Sequence, residues 1–198
     1  MRPAGWTGAA AALLLSLGVA LFAATPARPD IRTLAGRCEA KIIQLKSKRP
    51  PASLRVSEDE VNAYIEVHRD ELFYSAAREV RVRLDKDRVH AQVTADLARA
   101  KIKLDSPLHR AFVWILSGEH RYEAQIHFRS DQGVGRYRVE KLTVDGMTVP
   151  ASLAAVLANQ AGRLNRPPMP PGEDFPLPYN LRRCEVLPKA FVCHPRPR

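Results

Sequence analysis

The chain has 198 residues, and its 31 Lys and Arg against 21 Asp and Glu give a formal net charge of +10 at pH 7. This length fits one ordinary domain with short appendages and excludes a large multidomain enzyme. The hydrophobic fraction of 45% and the charged fraction of 26% are typical of a globular protein, and the positive charge indicates an acidic partner or a basic soluble surface.

The first predicted element is a secretory signal peptide over residues 1–27. A single charged residue, Arg2, precedes the apolar run of residues 9–24, and small residues follow this run. The run is shorter than the about 20 residues of a membrane-spanning helix, and an uncleaved anchor is the alternative because no cleavage site is ideal. We therefore expect residues 28–198 to form one domain in the periplasm or outside the cell, which excludes nucleic acid as a partner.

Two helices are predicted at the start of this domain. Apolar residues at helical spacing over residues 30–48 indicate an amphipathic helix, with Cys38 on its apolar face. A short strand at residues 54–56 separates it from a second helix. That helix begins at a capping box in residues 57–60 and continues with an apolar stripe that includes Ile65.

Two β-hairpins with one apolar and one polar face are predicted next. Residues 80–97 alternate in polarity around a turn at 85–88, and residues 121–139 do so around a turn at 130–133. Between the hairpins, the caps of residues 106–118 favour a short helix, although the apolar residues inside this segment are also compatible with a strand.

The last part of the chain is predicted to contain a helix, a proline-rich crossover and a hairpin. The helix begins near Pro150. Six prolines between positions 167 and 178 indicate that residues 165–178 form an extended, polyproline-like crossover. Residues 181–194 then form the C-terminal hairpin.

This terminal hairpin predicts a disulfide bond between Cys184 and Cys193. Around a turn at Pro188-Lys189 the two cysteines form a non-hydrogen-bonded pair, with Cα atoms about 4.5 Å apart, just inside disulfide range. A type I turn is expected because Pro188 cannot adopt a positive φ. Cys38 is then a buried thiol, and a zinc site at Cys184, Cys193 and His194 lacks a fourth ligand.

No motif indicates catalysis, and the apparent ones have simpler explanations. The triplet His68-Arg69-Asp70 lies on a predicted helix without the other parts of a kinase. Gly133-Val134-Gly135 lacks the third glycine of a dinucleotide loop and fits a hairpin turn. His120 and His127 lie on opposite faces of a regular strand, which opposes a shared metal ion. We expect no enzymatic activity, no cofactor and no metal.

Together these elements predict an α+β domain of about five to seven antiparallel strands packed on two or three helices. The apolar positions of the hairpins form one continuous face, which is either a filled core or a surface that binds an acyl chain. The predicted ligand-binding residues are Val82, Leu84, Val93, Tyr122, Ile126, Phe128, Tyr137, Val139, Leu153 and Leu157.

Four stretches resemble the small secreted bacterial members of the tubular lipid-binding (TULIP, BPI-like) superfamily, including the YceB-like families. They are residues 56–65, 80–97, 116–160 and 175–195, the last with an LP step before the final hairpin. The resemblance implies a curved sheet around a long helix, half of a TULIP fold, with lipid acyl chains in a groove. The cysteine pair and the proline-rich crossover depart from the family pattern, so no particular ligand is implied.

Two functions follow from the sequence. The first is a non-catalytic lipid- or hydrophobic-ligand-binding (transfer) protein of the cell envelope, with anionic headgroups near Arg81, Arg83, Arg136 and Arg138. The alternative is a structural or assembly factor that docks through this Arg-rich face on an anionic membrane surface or an envelope protein. An enzyme would need converging carboxylates or a histidine dyad in a cleft.

Overall fold

The computed structural model describes residues 29–73, 77–96, 118–163 and 168–196. In these parts of the chain the predicted α+β class is confirmed. The helices are α1 (Ile31–Lys46), α2 (Glu58–Val67), α3 (Arg69–Phe73) and α4 (Ala151–Arg163). The strands are β1 (Leu54–Ser57), β2 (Ala77–Asp85), β3 (Arg88–Ala95), β4 (His120–Asp131), β5 (Val134–Val144), β6 (Met147–Thr148), β7 (Phe175–Pro176), β8 (Leu181–Leu187) and β9 (Ala190–Pro195).

The described strands form two antiparallel sheets. The main sheet is open, with the order β2-β3-β4-β5, and the short strands β6 and β7 both pair with β5. Its six strands fall within the predicted range. The small sheet has the order β1-β9-β8, so the terminal hairpin pairs with a strand near the start of the domain, which the sequence did not predict.

A bulge in β5 explains an irregularity of the sequence pattern. Val139 and Lys141 pair with consecutive residues of β4, so Glu140 between them is an extra residue. The apolar alternation of β5 therefore restarts at Leu142, and apolar side chains before and after the bulge remain on the same face of the sheet.

Helix α2 begins with the predicted capping box. The Ser57 hydroxyl accepts a hydrogen bond from the Glu60 backbone N–H, and the Glu60 carboxylate accepts one from the Ser57 backbone N–H. Cys38 of α1 is 5% exposed and unpaired, as predicted. Burial, with a smaller contribution from Glu60, raises the pKa of the Cys38 thiol to about 11, so it is protonated at neutral pH.

The predicted disulfide bond joins Cys184 of β8 to Cys193 of β9. The two residues face each other in the ladder, and their Cα atoms are 4.1 Å apart. The cross-strand register derived from the turn position is therefore confirmed.

The turn of this hairpin differs from the prediction. It lies at Pro188-Lys189 as expected, but Lys189 has a φ of 61°, which is characteristic of a type II rather than a type I turn. The Lys189 backbone donates to Leu84 O at 3.0 Å and accepts from Glu58 N at 2.9 Å. These two tertiary hydrogen bonds hold the turn in the less common conformation.

Part of the predicted crossover is more structured than an extended chain. Its described residues contain a turn at Pro171-Gly172, strand β7 on the edge of the main sheet, and a 3₁₀ turn at Pro178–Asn180. Phe175 of β7 packs against Gly135, where a Cβ atom would lie 2.7 Å from the ring. The glycine therefore permits this close contact between the crossover and β5.

Strand β8 joins the small sheet to the turns of the main sheet. The Val186 carbonyl accepts from Asp87 N at 3.0 Å, and the Arg182 carbonyl accepts from Gly133 N at 2.7 Å. Ser130 Oγ accepts from Cys184 N and donates to Cys184 O, both at 2.7 Å. The small sheet thus closes the turn end of the main sheet.

Two predictions concern residues outside the described ranges, namely the signal peptide at 1–27 and nearly all of the segment at 106–118. In the ranges that are described, no helix combines the length and the apolar character needed to span a membrane.

Candidate ligand-binding face

The strand register places the apolar residues of both hairpins side by side. Residues directly opposite each other on neighbouring strands share a face. The resulting rows are Val80, Val93, Tyr122 and Val144; Val82, Ala91, Ala124 and Leu142; Leu84, Val89, Ile126 and Val139; and the pair Phe128 and Tyr137. We call these residues the apolar sheet face, and it contains all eight predicted ligand-binding residues that lie on strands.

Two helices cover opposite edges of the apolar sheet face. Ile65 of α2 packs on a buried cluster that includes Val80, at the β2 edge. Leu153 of α4 packs on a cluster that includes Val144, at the β5 edge. Leu157 lies one turn further along α4 and is half-buried, and in the described residues it is not part of that cluster.

Between these edges the apolar sheet face is only partly buried by the described residues. Leu84 is 3% exposed, but the other seven predicted strand residues are half-buried. The smallest side chains, Ala91 and Ala124, lie opposite each other on the two central strands and are also half-buried. Because these side chains are short, the surface forms a shallow depression at the middle of the apolar sheet face.

Tyr122 is a polar group within this apolar surface. Its hydroxyl oxygen is buried and has no hydrogen-bond partner among the described residues. The pKa of Tyr122 is raised to about 12, mainly by burial and to a smaller extent by the carboxylates of Asp145 and Asp96. The hydroxyl therefore remains a donor at neutral pH. A buried donor without an acceptor costs about 1–3 kcal/mol, which a polar atom of a bound ligand would offset.

The other end of the face is aromatic. The Phe175 ring lies 6.5 Å from that of Phe128 and 6.2 Å from that of Tyr137, measured between centroids. The Tyr137 hydroxyl donates to Met169 O at 2.7 Å. This end is consequently closed by the crossover and β7.

Of three clefts that described residues line, two touch the apolar sheet face at its margins and one lies away from it. A cleft of about 670 Å³ between β5 and α4 includes Val139 and Leu142, and one of about 550 Å³ beside β8 includes Phe128. The other predicted ligand-binding residues do not line these clefts. The third cleft, of about 570 Å³, lies at one end of the small sheet and is lined mainly by basic side chains.

Several Arg side chains on the polar face of the main sheet pair with carboxylates. Arg81 pairs with Glu79 at 3.0 Å, Arg136 pairs with Asp174 at 2.7 Å, and Arg138 lies 3.4 Å from Glu140. Arg88 also binds Glu140, at 3.0 Å. These exposed ion pairs leave less unbalanced charge for an anionic partner than the sequence pattern indicated.

The basic cleft was not predicted from the sequence. Its side chains come from residues 48–52, 131, 182–183 and 194–196. The pairing of β1 with β9 adds residues 48–52 to the end of the β8–β9 hairpin, and the contact of β8 with the turn after β4 adds Asp131. The sequence does contain two basic pairs, Lys48-Arg49 and Arg182-Arg183. That they lie close together depends on the pairing of β1 with β9, which the sequence did not predict.

In the described part of the chain, no group of three His, Cys, Asp or Glu side chains is placed to hold a metal ion. His120, one of the histidines considered above, instead bonds to the Asp145 carboxylate at 2.6 Å. A scan against protein-family models, a search of curated proteins and a search of solved structures each found no match.

Proposed function

We propose that this chain is a non-catalytic lipid-binding or lipid-transfer protein of the cell envelope, and that acyl chains lie on the apolar sheet face. The observation that carries the proposal is the half-buried centre of this face, between α2 at one edge and α4 at the other. Exposing apolar surface to water costs roughly 25 cal/mol per Å². A bound acyl chain would bury the exposed part of this face and remove that cost.

The Tyr122 hydroxyl supports a ligand with a polar atom as well as an acyl chain. It is a buried donor on this face without a described partner, and a carboxylate, ester or hydroxyl oxygen of a lipid would accept its hydrogen bond. The signal peptide predicted from the sequence supports the envelope location, and so does the disulfide bond, because disulfides form in oxidising compartments.

Native mass spectrometry of the full chain, purified without detergent from its producing cells, tests the proposal. We expect adducts with the mass of a lipid on the wild-type protein. The double variant Ala91→Leu/Ala124→Leu fills the centre of the face with apolar side chains and should lower lipid occupancy about tenfold or more. Gln92→Leu, next to Ala91 on the polar face, is the matched control and should retain the lipid.

A second variant separates ligand binding from folding. Tyr122→Phe removes a hydroxyl that has no described partner, so the free energy of unfolding should stay equal or rise, while retention of a polar lipid falls. The proposal would be contradicted if repeated preparations contain no lipid and added oleate leaves the thermal stability unchanged.

A further inference from the structure

The basic cleft is formed at one end of the small sheet, where the chain before β1 meets the two ends of the β8–β9 hairpin. Strand β9 lies between β1 and β8 and is antiparallel to both, so the start of β1, the start of β8 and the end of β9 share one end of the small sheet. This end carries six basic side chains, namely Lys48, Arg49, Arg182, Arg183, His194 and Arg196.

The charge in this cleft is poorly balanced. Asp131 is the carboxylate among the described lining residues. Arg183 pairs with Glu185, which lies outside the lining and is also 3.8 Å from His194. Arg196 donates to the Gln132 carbonyl at 2.5 Å. Within the described residues, the guanidinium groups of Arg49 and Arg182 pair with no carboxylate, in contrast to most Arg residues on the polar face of the main sheet.

The backbone around these groups is constrained before any ligand binds. Pro50, Pro51 and Pro195 line the cleft, and each fixes its own φ near −65°. Arg183 and His194 are cross-strand partners, and the pair next to them in the ladder is the disulfide-bonded one. A backbone that is constrained in this way loses less entropy when an anion binds to the side chains that it carries.

We propose that the basic cleft is a binding site for a phosphate group, carried by a lipid headgroup or by a soluble phosphate ester. Guanidinium groups bind phosphate oxygens through paired, charge-assisted hydrogen bonds. A volume of about 570 Å³ exceeds that of one phosphate and accommodates the group to which it is esterified. The site lies on the small sheet, so it is independent of acyl-chain binding on the apolar sheet face.

Two binding measurements on the full chain distinguish the sources of phosphate. The first is co-sedimentation with phosphatidylglycerol-containing vesicles against vesicles of phosphatidylcholine alone, and the second is calorimetric titration with glycerol 3-phosphate. Arg49→Gln/Arg182→Gln should weaken binding about tenfold or more in whichever arm the wild type binds. Arg81→Gln/Arg136→Gln removes the same charge from the polar face and should change binding about twofold at most.

Asp131→Asn is a variant for which we expect stronger phosphate binding, a result that misfolding would not produce. It removes the carboxylate from the cleft and should strengthen phosphate binding several-fold. Binding only to vesicles identifies a lipid headgroup as the source, and binding of glycerol 3-phosphate identifies a soluble ester. Absence of binding in both arms, or equal losses in the two double variants, would overturn the proposal, whereas Ala91→Leu/Ala124→Leu should leave phosphate binding unchanged.

Discussion

At the scale of single residues, Glu60 is a buried charged group with partners on two elements. Its side chain is nearly buried and accepts hydrogen bonds from the Lys41 ammonium at 2.6 Å and from the Ser57 backbone at 2.8 Å. Burial alone would raise the pKa of Glu60, but the bonds from Lys41 and Ser57 outweigh it and lower the pKa below its usual value.

This balance makes Glu60 a pH-dependent stabiliser. A carboxyl group with a lowered pKa in the folded state stabilises the fold above its unfolded-state pKa, and the contribution is lost as pH falls through the folded-state pKa. We expect Glu60→Gln, which keeps the capping box but loses the charge, to lower the free energy of unfolding at pH 7 by about 1–3 kcal/mol. Urea unfolding between pH 7 and pH 3 measures this difference, which should shrink on acidification.

Glu66→Gln is the control for this substitution. Glu66 is on the same helix and forms an exposed pair with Arg69, so its loss should cost at most about 0.5 kcal/mol. A Glu60→Gln effect that stays constant down to pH 3 would contradict the assignment. The capping box was predictable because its partners are three residues apart, whereas Lys41 lies on another helix and gave no sequence signal.

At the scale of elements, side chains of α2 cover the β2 edge of the main sheet, together with the Lys189 backbone that bonds to Leu84 O. Asn62 of α2 accepts from Val82 N and donates to Val82 O, both at 2.7 Å, and the Glu58 carboxylate accepts from Leu84 N at 2.6 Å. Strand β2 is the edge strand, and its backbone would otherwise be open to pairing with another chain.

We expect Asn62→Ala to expose this edge. The loss of two hydrogen bonds to partly buried backbone groups should lower the free energy of unfolding by about 1–3 kcal/mol. Hydrogen exchange at the Val82 amide should accelerate more than at amides of β4. Gln44→Ala, at an exposed position of α1, is the control, and equal exchange at Val82 in both variants would refute the role of Asn62.

The predictability of these elements depended on how local their signals are. The hairpins of the main sheet were predictable because alternation and turn residues lie within about 20 positions. Strand β7 was missed since two residues carry no periodicity, and the pairing of β1 with β9 was missed since nothing in either strand identifies its partner. The apolar sheet face follows from alternation alone, but its coverage by α2 and α4, and the basic cleft, depend on tertiary packing.

At the scale of the whole molecule, β8 is the connection between the two sheets. Its Val186 side chain is 1% exposed, its backbone bonds to both hairpin turns of the main sheet, and its disulfide links it to β9. Loosening β8 should therefore affect the stability of the entire domain.

We expect reduction of the disulfide to lower the free energy of unfolding by about 2–4 kcal/mol, because the open chain gains conformational entropy when unfolded. Urea unfolding with and without reductant measures this change, and Cys184→Ser/Cys193→Ser should show the lower value under both conditions. Cys38→Ala keeps the disulfide and should retain the response to reductant. An identical unfolding midpoint for reduced and oxidised wild type would contradict this role of the crosslink.

The order β1-β9-β8 also determines when the domain can be completed. Leu54 pairs with Cys193, so the partner of β1 is synthesised more than 130 residues after β1 itself. During synthesis, α1 and α2 need only residues that are close in the sequence, but β1 cannot pair until β9 has been made. Contacts of such long sequence separation slow folding. The small sheet of an emerging chain thus depends on β9, and a truncation before Ala190 would leave β1 without its neighbour in that sheet.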